Sequence, residues 1–323
     1  AYAVETTLHG LAGVDPAVAQ ARFDELLASP GQLIAYHGLF MGLAALVVAR
    51  GIGGGIEAAM KLLMPVLAAL MIALAAYSIV EGDLEATIDF LFRLDPGHLT
   101  ARVALDALGL GFFSIGVGLG LMITFAAYAG ADIDLKQVAI ASILADTAIS
   151  FLAGVAVFPI VFAHGLDPAA GPGLVFVTLP LAFADLPFGA VAAVAFFLLL
   201  FVAALASAIS MLELAVAVII QRLGWSRPWA ALAVALACFA AGIATVGSFN
   251  WWAGWHPLPL LAGFEQATFY DLLDYLTSNI LLPLVGFMLA LFAGWAVPAR
   301  LLNDELKLSP AGAMILRVLL RYV

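Results

Sequence analysis

From Phe188 to Gln221 the chain carries one charged side chain, Glu213, in an otherwise apolar and small-residue run. A helix of about 20 largely apolar residues crosses the hydrocarbon core of a bilayer, so a run of this length belongs in lipid. Similar segments occupy Leu33–Ala49, Ile56–Ile79, Ala101–Tyr128, Lys136–Phe162, Pro228–Val246 and Tyr270–Val297, and another opens near Gly312 and reaches Val323. Several exceed the minimum, which predicts tilted, broken or protruding helices. Of the 323 residues, 65% are hydrophobic and 11% are charged. An ordinary soluble domain carries about 25% charged residues. Too little charge is present to coat a soluble enzyme, a nucleic-acid binder or a disordered scaffold. The pattern gives an all-α polytopic membrane protein.

Charge placement orients the spans. Arg50, Lys136, Arg222, Arg227, Arg300, Lys307, Arg317 and Arg321 fall at alternate junctions, opposite the acid-rich stretches 15–25, 81–95 and 265–274. The positive-inside rule puts Arg50 and its companions in the cytoplasm. Arg22, Arg93 and Arg102 are exceptions on the outer side. The chain opens Ala1-Tyr2-Ala3-Val4-Glu5 without a signal-peptide pattern and reads as a piece of a longer protein, with Ala1 to Pro30 expected outside. Its one cysteine, Cys238, excludes an intrachain disulfide and is expected to be a small buried hydrophobe. Outside the membrane, 83–98 is amphipathic. Gly171–Pro180 is too short to span and too apolar for a free loop, and reads either as a lid folded over the membrane face or as an inert hairpin.

Four intramembrane features carry chemistry. Gly109 to Gly120 holds five glycines, each costing about 1 kcal/mol in a helix interior relative to alanine. Close helix packing would explain them, but Gly116-Val117-Gly118 at mid-span favours an unwound hinge with free backbone groups. Asp146 is a mid-span carboxylate, with Ser142 and Ser150 one turn away on the same helix face. A buried charge is tolerated where it faces a cavity or binds a cation; the alternative is a structural hydrogen bond to a neighbouring helix. Ala203, Ser207 and Met211 share a small-residue face, with Glu213 as a second buried acid, protonated or bonded to backbone groups. Asp271 and Asp274 sit one turn apart at the outer end of a span, as a gate ion pair or a solvated helix end.

Enzymatic readings lack their parts. No HExxH, GxSxG or P-loop lysine occurs, and His9, His37, His98, His164 and His256 are scattered.

Several segments, in order, resemble the neurotransmitter:sodium symporter family, in its bacterial amino-acid branch. Arg50-Gly-Ile-Gly-Gly-Gly-Ile-Glu57 with Met64-Pro65 is similar to the loop and start of its fifth helix. Phe112-Phe-Ser-Ile-Gly-Val-Gly-Leu-Gly120 with Ile123–Tyr128 resembles its broken sixth helix. Gly173–Pro180 resembles its fourth outer loop, and Ser207–Glu213 its eighth helix. The resemblance implies a broken-helix, inverted-repeat (leucine-transporter-like) fold, incomplete here. Residues 1–32 would end the third helix and form an outer loop, 33–80 would be helices four and five, and 81–99 an outer loop. Residues 100–297 would be the second repeat with a lid near 165–186, and 298–323 a cytoplasmic loop and the start of helix eleven.

Carried over residue by residue, the resemblance assigns sodium to Ser114 and Asp146 at one site, and to Ala203 (backbone) and Ser207 at another. Asp146 stands where Asn is usual. Ser150 matches a chloride-binding position, and Leu110 replaces a chloride-binding Gln. A fixed carboxylate would thus replace chloride. Ala206 departs from the hydroxyl common in the second sodium site. Phe113, Ser114, Gly116, Leu119, Ser207 and Met211 would line the substrate pocket; Gly116 removes bulk, and Leu119 and Met211 keep it apolar. Tyr128 and Asp274 match inner and outer gates, while Gln221 stands where an inner acid is expected. The implied activity is sodium-coupled, chloride-independent symport of a neutral hydrophobic amino acid across the inner (plasma) membrane. Sodium ions are the cofactor, and the substrate and the bilayer are the partners. No nucleic acid is implied, and a homodimer is allowed. The alternatives are a non-transporting sensor or structural subunit, which Ala206 and Gln221 would fit, and a passive channel.

Overall fold

The computed structural model describes residues 16–93, 96–130, 132–166, 168 and 173–322. Among these every regular element is a helix. Six helices are long and apolar enough to cross a membrane. They are α2 (Pro30–Ala49), α3 (Ala58–Glu81, entered through a π-helical turn at Ile52–Glu57), α7 (Leu135–Ala163), α9 (Gly189–Leu223), α10 (Arg227–Ser248) and the composite Phe269–Ala296. The composite runs through α11 (Phe269–Tyr275), a π-helical stretch at Leu276–Leu281, α12 (Leu282–Leu291) and a second such stretch at Phe292–Ala296. The seventh expected span, Ala101–Tyr128, is divided into α5 (Ala101–Ser114) and α6 (Leu121–Ala126). Shorter helices are α1 (Pro16–Ala28), α4 (Leu84–Phe92), α8 (Leu179–Ala184), α13 (Ala299–Leu306) and α14 (Pro310–Tyr322). Residues 1–15 of the expected third-helix end and outer loop, and 167 and 169–172 of the expected lid, lie outside the described residues.

Two compact units partition the chain. The first takes in residues up to Leu94 and Ser150–Pro259; the second takes in Asp95–Ile149 and the chain from Leu260 onward.

In the first unit α9 is the central post. At about 1.5 Å per residue, its 35 residues reach about 52 Å. Phe196, Phe197, Leu199 and Val202 meet Leu67, Met71 and Leu74 of α3 and Ala156 and Ile160 of α7. Further along, Leu205, Ile209, Leu212 and Val216 meet Ala44 and Val48 of α2 and Ala230, Ala231 and Val234 of α10. Between helices in lipid the attraction is packing rather than water exclusion, and small residues let backbones approach. Ala44, Ala230 and Ala231 are fully buried for that reason. The α9 C-terminus closes at Gly224 in the left-handed conformation (φ 67°), and Pro228 opens α10 within its first turn.

Asp83 begins α4 by accepting a hydrogen bond from the Ala86 N–H, while its own N–H donates to the Pro159 carbonyl at 2.8 Å. The apolar stretch at Gly173–Ala184 is a packed segment, not a surface hairpin: Leu174, Leu179, Pro180 and Phe183 are buried. Phe176 stacks between Phe23 at 5.7 Å and Phe197 at 6.3 Å. Cys238, expected to be buried, is exposed. In a bilayer an apolar residue needs no protein cover, so apolar neighbours in sequence do not imply burial.

In the second unit α12 receives α5. A Cβ at Gly286 would stand about 3.0 Å from the Phe112 ring, and one at Gly118 would stand 2.9 Å from the Leu282 carbonyl oxygen. Any larger residue at Gly118 would press on backbone, and one at Gly286 would need the Phe112 ring to give way. Arg321 of α14 donates from Nε to the Gly294 carbonyl at 2.7 Å, with its guanidinium 4.9 Å over the Trp295 ring.

Candidate ion and substrate site

The break between α5 and α6 is built by its glycines. Gly116 (φ 75°) and Gly120 (φ 73°) take left-handed conformations that other residues adopt only under strain. Tight turns replace the helical ladder: Gly116 N–H donates to Phe113, Gly118 N–H to Phe112, and both Leu119 and Leu121 N–H to Gly116. Among the described residues, the carbonyls of Ser114, Ile115, Gly118 and Leu119 accept no backbone hydrogen bond. An unwound stretch thus leaves a set of oxygen donors near the middle of an apolar segment.

Ser114, the last residue of α5, meets Asp146 of α7. Its hydroxyl lies 2.7 Å from one carboxylate oxygen and 2.8 Å from the other. Asp146 is half-buried and Ser114 exposed, so the pair opens to one side rather than being sealed in a core. The hydroxyl and the carboxylate meet where the unwound stretch begins, so the oxygen donors available there are a hydroxyl, a carboxylate and backbone carbonyls. That chemistry suits a small monovalent cation, whose charge the carboxylate neutralises.

Phe113 lines a half-open, mostly apolar cavity of about 500 Å³ with Leu108, Leu110, Phe112, Ser278, Asn279 and Leu282. Ser278 and Asn279 come from the π-helical stretch, whose wider turn marks many functional sites. Sequence reasoning weighed the acids nearby and passed over this Ser-Asn pair; its polar side chains deep in an apolar span were the available signal. Gly116 is buried, and a Cβ there would meet the Leu121 side chain at 3.1 Å. Leu119 is half-buried within the break.

In the first unit, Ala203, Ser207 and Met211 recur every fourth residue along α9. Ser207 and Met211 are exposed, while Ala203 is half-buried and packs against the first of the two clusters along α9. Ala206 lies off that stripe and is buried at 7% exposure. Ser150, on the α7 face of Asp146, also falls in this unit and is exposed. Phe113, Ser114, Gly116, Leu119, Asp146, Tyr128 and Asp274 belong to the second unit.

Both expected gate residues are exposed: Tyr128 follows α6, and Asp274 lies on α11, where its carboxylate accepts from the Ser278 hydroxyl at 3.4 Å. Asp271 closes a capping box with the N-cap Thr268: its carboxylate takes the Thr268 N–H at 2.8 Å, and the Thr268 hydroxyl takes the Asp271 N–H.

Glu213 corrects the expectation of a protonated or backbone-bonded acid. It is fully buried in a two-pronged ion pair with Arg227, at 2.7 and 3.1 Å. Arg227 also reaches the Val48 carbonyl at 3.4 Å, joining α9, α10 and α2. A bidentate carboxylate–guanidinium pair of this kind adds geometric specificity to a strong hydrogen-bonded contact.

Comparison with known proteins agrees with this architecture. Residues 20–273 match the sodium:neurotransmitter symporter family. An uncharacterised sodium-dependent transporter of Bacillus subtilis strain 168, YhdH, is 33% identical over 94% of this chain and 65% of its own length. An uncharacterised sodium-dependent transporter of Haemophilus influenzae is 32% identical over 86% of this chain and 59% of its own length. The chain therefore spans about three-fifths to two-thirds of these relatives. The crystal structure of MhsT in complex with L-phenylalanine superposes with a TM-score of 0.87 at 34% identity, covering 99% of this chain and 72% of that one.

Proposed function

Because the chain belongs to the sodium:neurotransmitter symporter family, we propose that its protein carries a neutral, hydrophobic amino acid across the membrane with sodium, by alternating access, and without chloride. The observation that carries this reading is the Ser114–Asp146 pair beside the unwound Ile115–Gly120 stretch. Ser114 and Asp146 would hold one sodium ion, and the Ala203 carbonyl and Ser207 hydroxyl a second. Asp146 supplies as a fixed carboxylate the negative charge that chloride would otherwise bring. Ser150 and Leu110 then have no anion to bind.

Phe113, Ser114, Gly116, Leu119, Ser207 and Met211 would be the substrate-binding residues, with Asp274 and Tyr128 as outer and inner gates. The small Gly116 and apolar Leu119 and Met211 favour a medium or large apolar side chain. The similar MhsT was solved with L-phenylalanine, a ligand of that kind. Residues 100–297 would form the second inverted repeat, and the protein would sit in the inner (plasma) membrane.

Coupling follows from linkage: sodium and substrate each raise the other's affinity by the same factor when both favour one state. Amino-acid uptake by the intact protein in proteoliposomes, driven by sodium with and without chloride, tests the proposal. Accumulation should be uphill, sodium-driven and unchanged without chloride, and Asp146→Ala should abolish it. Intact sodium binding with no accumulation of any amino acid would favour a sensor, to which Ala206 and Gln221 would fit.

A further inference from the structure

The segment that follows α10 is built to sit in the membrane–water boundary. Arg222 and Arg227 flank the start of α9–α10's connection and place it on the cytoplasmic side, so the chain after Ser248 emerges on the outer face. Phe249 to Phe264 contains no Asp, Glu, Lys or Arg, and reads Phe-Asn-Trp-Trp-Ala-Gly-Trp-His-Pro-Leu-Pro-Leu-Leu-Ala-Gly-Phe. An outer loop bathed in water has no reason to exclude charge over such a length or to spend three of the chain's six tryptophans.

Local structure fits the same reading. The Asn250 side chain donates to the Val246 carbonyl at 3.0 Å, the Trp252 N–H to Gly247 at 3.1 Å and the Trp255 N–H to Trp252 at 2.8 Å. The turns from Phe249 to Trp255 thereby satisfy part of their backbone within the segment, which lowers the cost of leaving water there. Trp252 is turned inward and packs on Gly247, where a Cβ would stand 2.5 Å from its indole. Trp251 and Trp255 lie edge-to-face on either side of it, with ring centroids 6.3 Å away. They face outward at 58% and 53% exposure, and Leu258 is exposed at 42%. One tryptophan is thus an internal brace and two are presented. Indoles carry an apolar body and one N–H donor, the combination that settles at the headgroup level.

We infer that Trp251, Trp255 and Leu258 insert into the outer-leaflet interface and anchor the outer end of α10 to lipid. The partner is the bilayer, continuous with the lipid that already surrounds the spanning part of α10.

The test uses the intact protein in phosphatidylcholine vesicles brominated either near the acyl carbonyl or near the methyl end. The fluorescence lost on making Trp251→Phe or Trp255→Phe should be the part quenched by the shallow bromines and spared by aqueous iodide. Quenching of that part by iodide but not by bromolipid would put the segment in water and overturn the inference. Protection from both quenchers would mean that protein covers it, and would overturn it equally. An independent check places a nitroxide at Leu258→Cys in a Cys238→Ala background. Oxygen should broaden its spectrum more than a water-soluble nickel chelate does; the reverse order would overturn the anchor.

Discussion

Asp146 concentrates the electrostatics of the candidate ion site in one side chain. Ser114 holds both of its oxygens within 2.8 Å. Asp146→Asn keeps the shape and removes the charge, so the site would hold sodium without a fixed counter-charge. Transport by this variant should fall and should then respond to added chloride. Equal uptake with and without chloride, at the wild-type level, would argue that the carboxylate plays no such part. The pairing of Ser114 with Asp146 was legible only through the family resemblance; position in mid-span marked Asp146 by itself, together with Ser142 and Ser150 on its own helix face. Two residue-level expectations failed for physical reasons. Cys238 was read by its apolar neighbours, but lipid can cover what protein does not. Glu213 was read without its partner because Arg227 lies beyond the α9–α10 turn, and only the turn's geometry aims it back.

At the scale of elements, the α5–α6 break and the α9–α10 clamp make separate demands. Gly116 sits at φ 75° with Leu121 against it, so Gly116→Ala must adopt a left-handed conformation costing about 1–2 kcal/mol and displace that leucine. Thermal unfolding in detergent should show a lowered midpoint, and substrate affinity should drop with it. An unchanged midpoint would mean that the turn refolds around the methyl. Arg227→Ala takes the guanidinium away from the fully buried Glu213 carboxylate, and losses of about 3–5 kcal/mol are usual when one partner of a buried pair is removed. Replacing both residues by methionine should be much milder, since the apolar pair needs no counter-charge. Equal losses for the single and double variants would show that the ion pair itself is required. The glycine cluster announced the break in sequence. The π-helical stretches at Leu276–Leu281 and Phe292–Ala296 were invisible there, because one extra residue per turn leaves no compositional mark.

For the whole molecule, apolar run length and charge asymmetry were enough to read a multi-pass helical protein, and motif order was enough to suggest the family. What remained illegible is which helix faces pack. Between helices in lipid, small residues buried in one cluster, such as Ala44, Ala230 and Ala231, decide that, and alanines are too common in this chain to single them out. The symporter account requires that sodium and substrate favour one shared state of the intact protein, with Asp146 as the residue through which sodium acts. Equilibrium binding of the transported amino acid across a sodium titration, in wild type and Asp146→Ala, measures that coupling without the ambiguities of flux. The account predicts that wild-type affinity rises steeply with sodium and that the variant binds weakly at every sodium concentration. Substrate binding that is indifferent to sodium in the wild type, or a variant whose sodium response is intact, would contradict it.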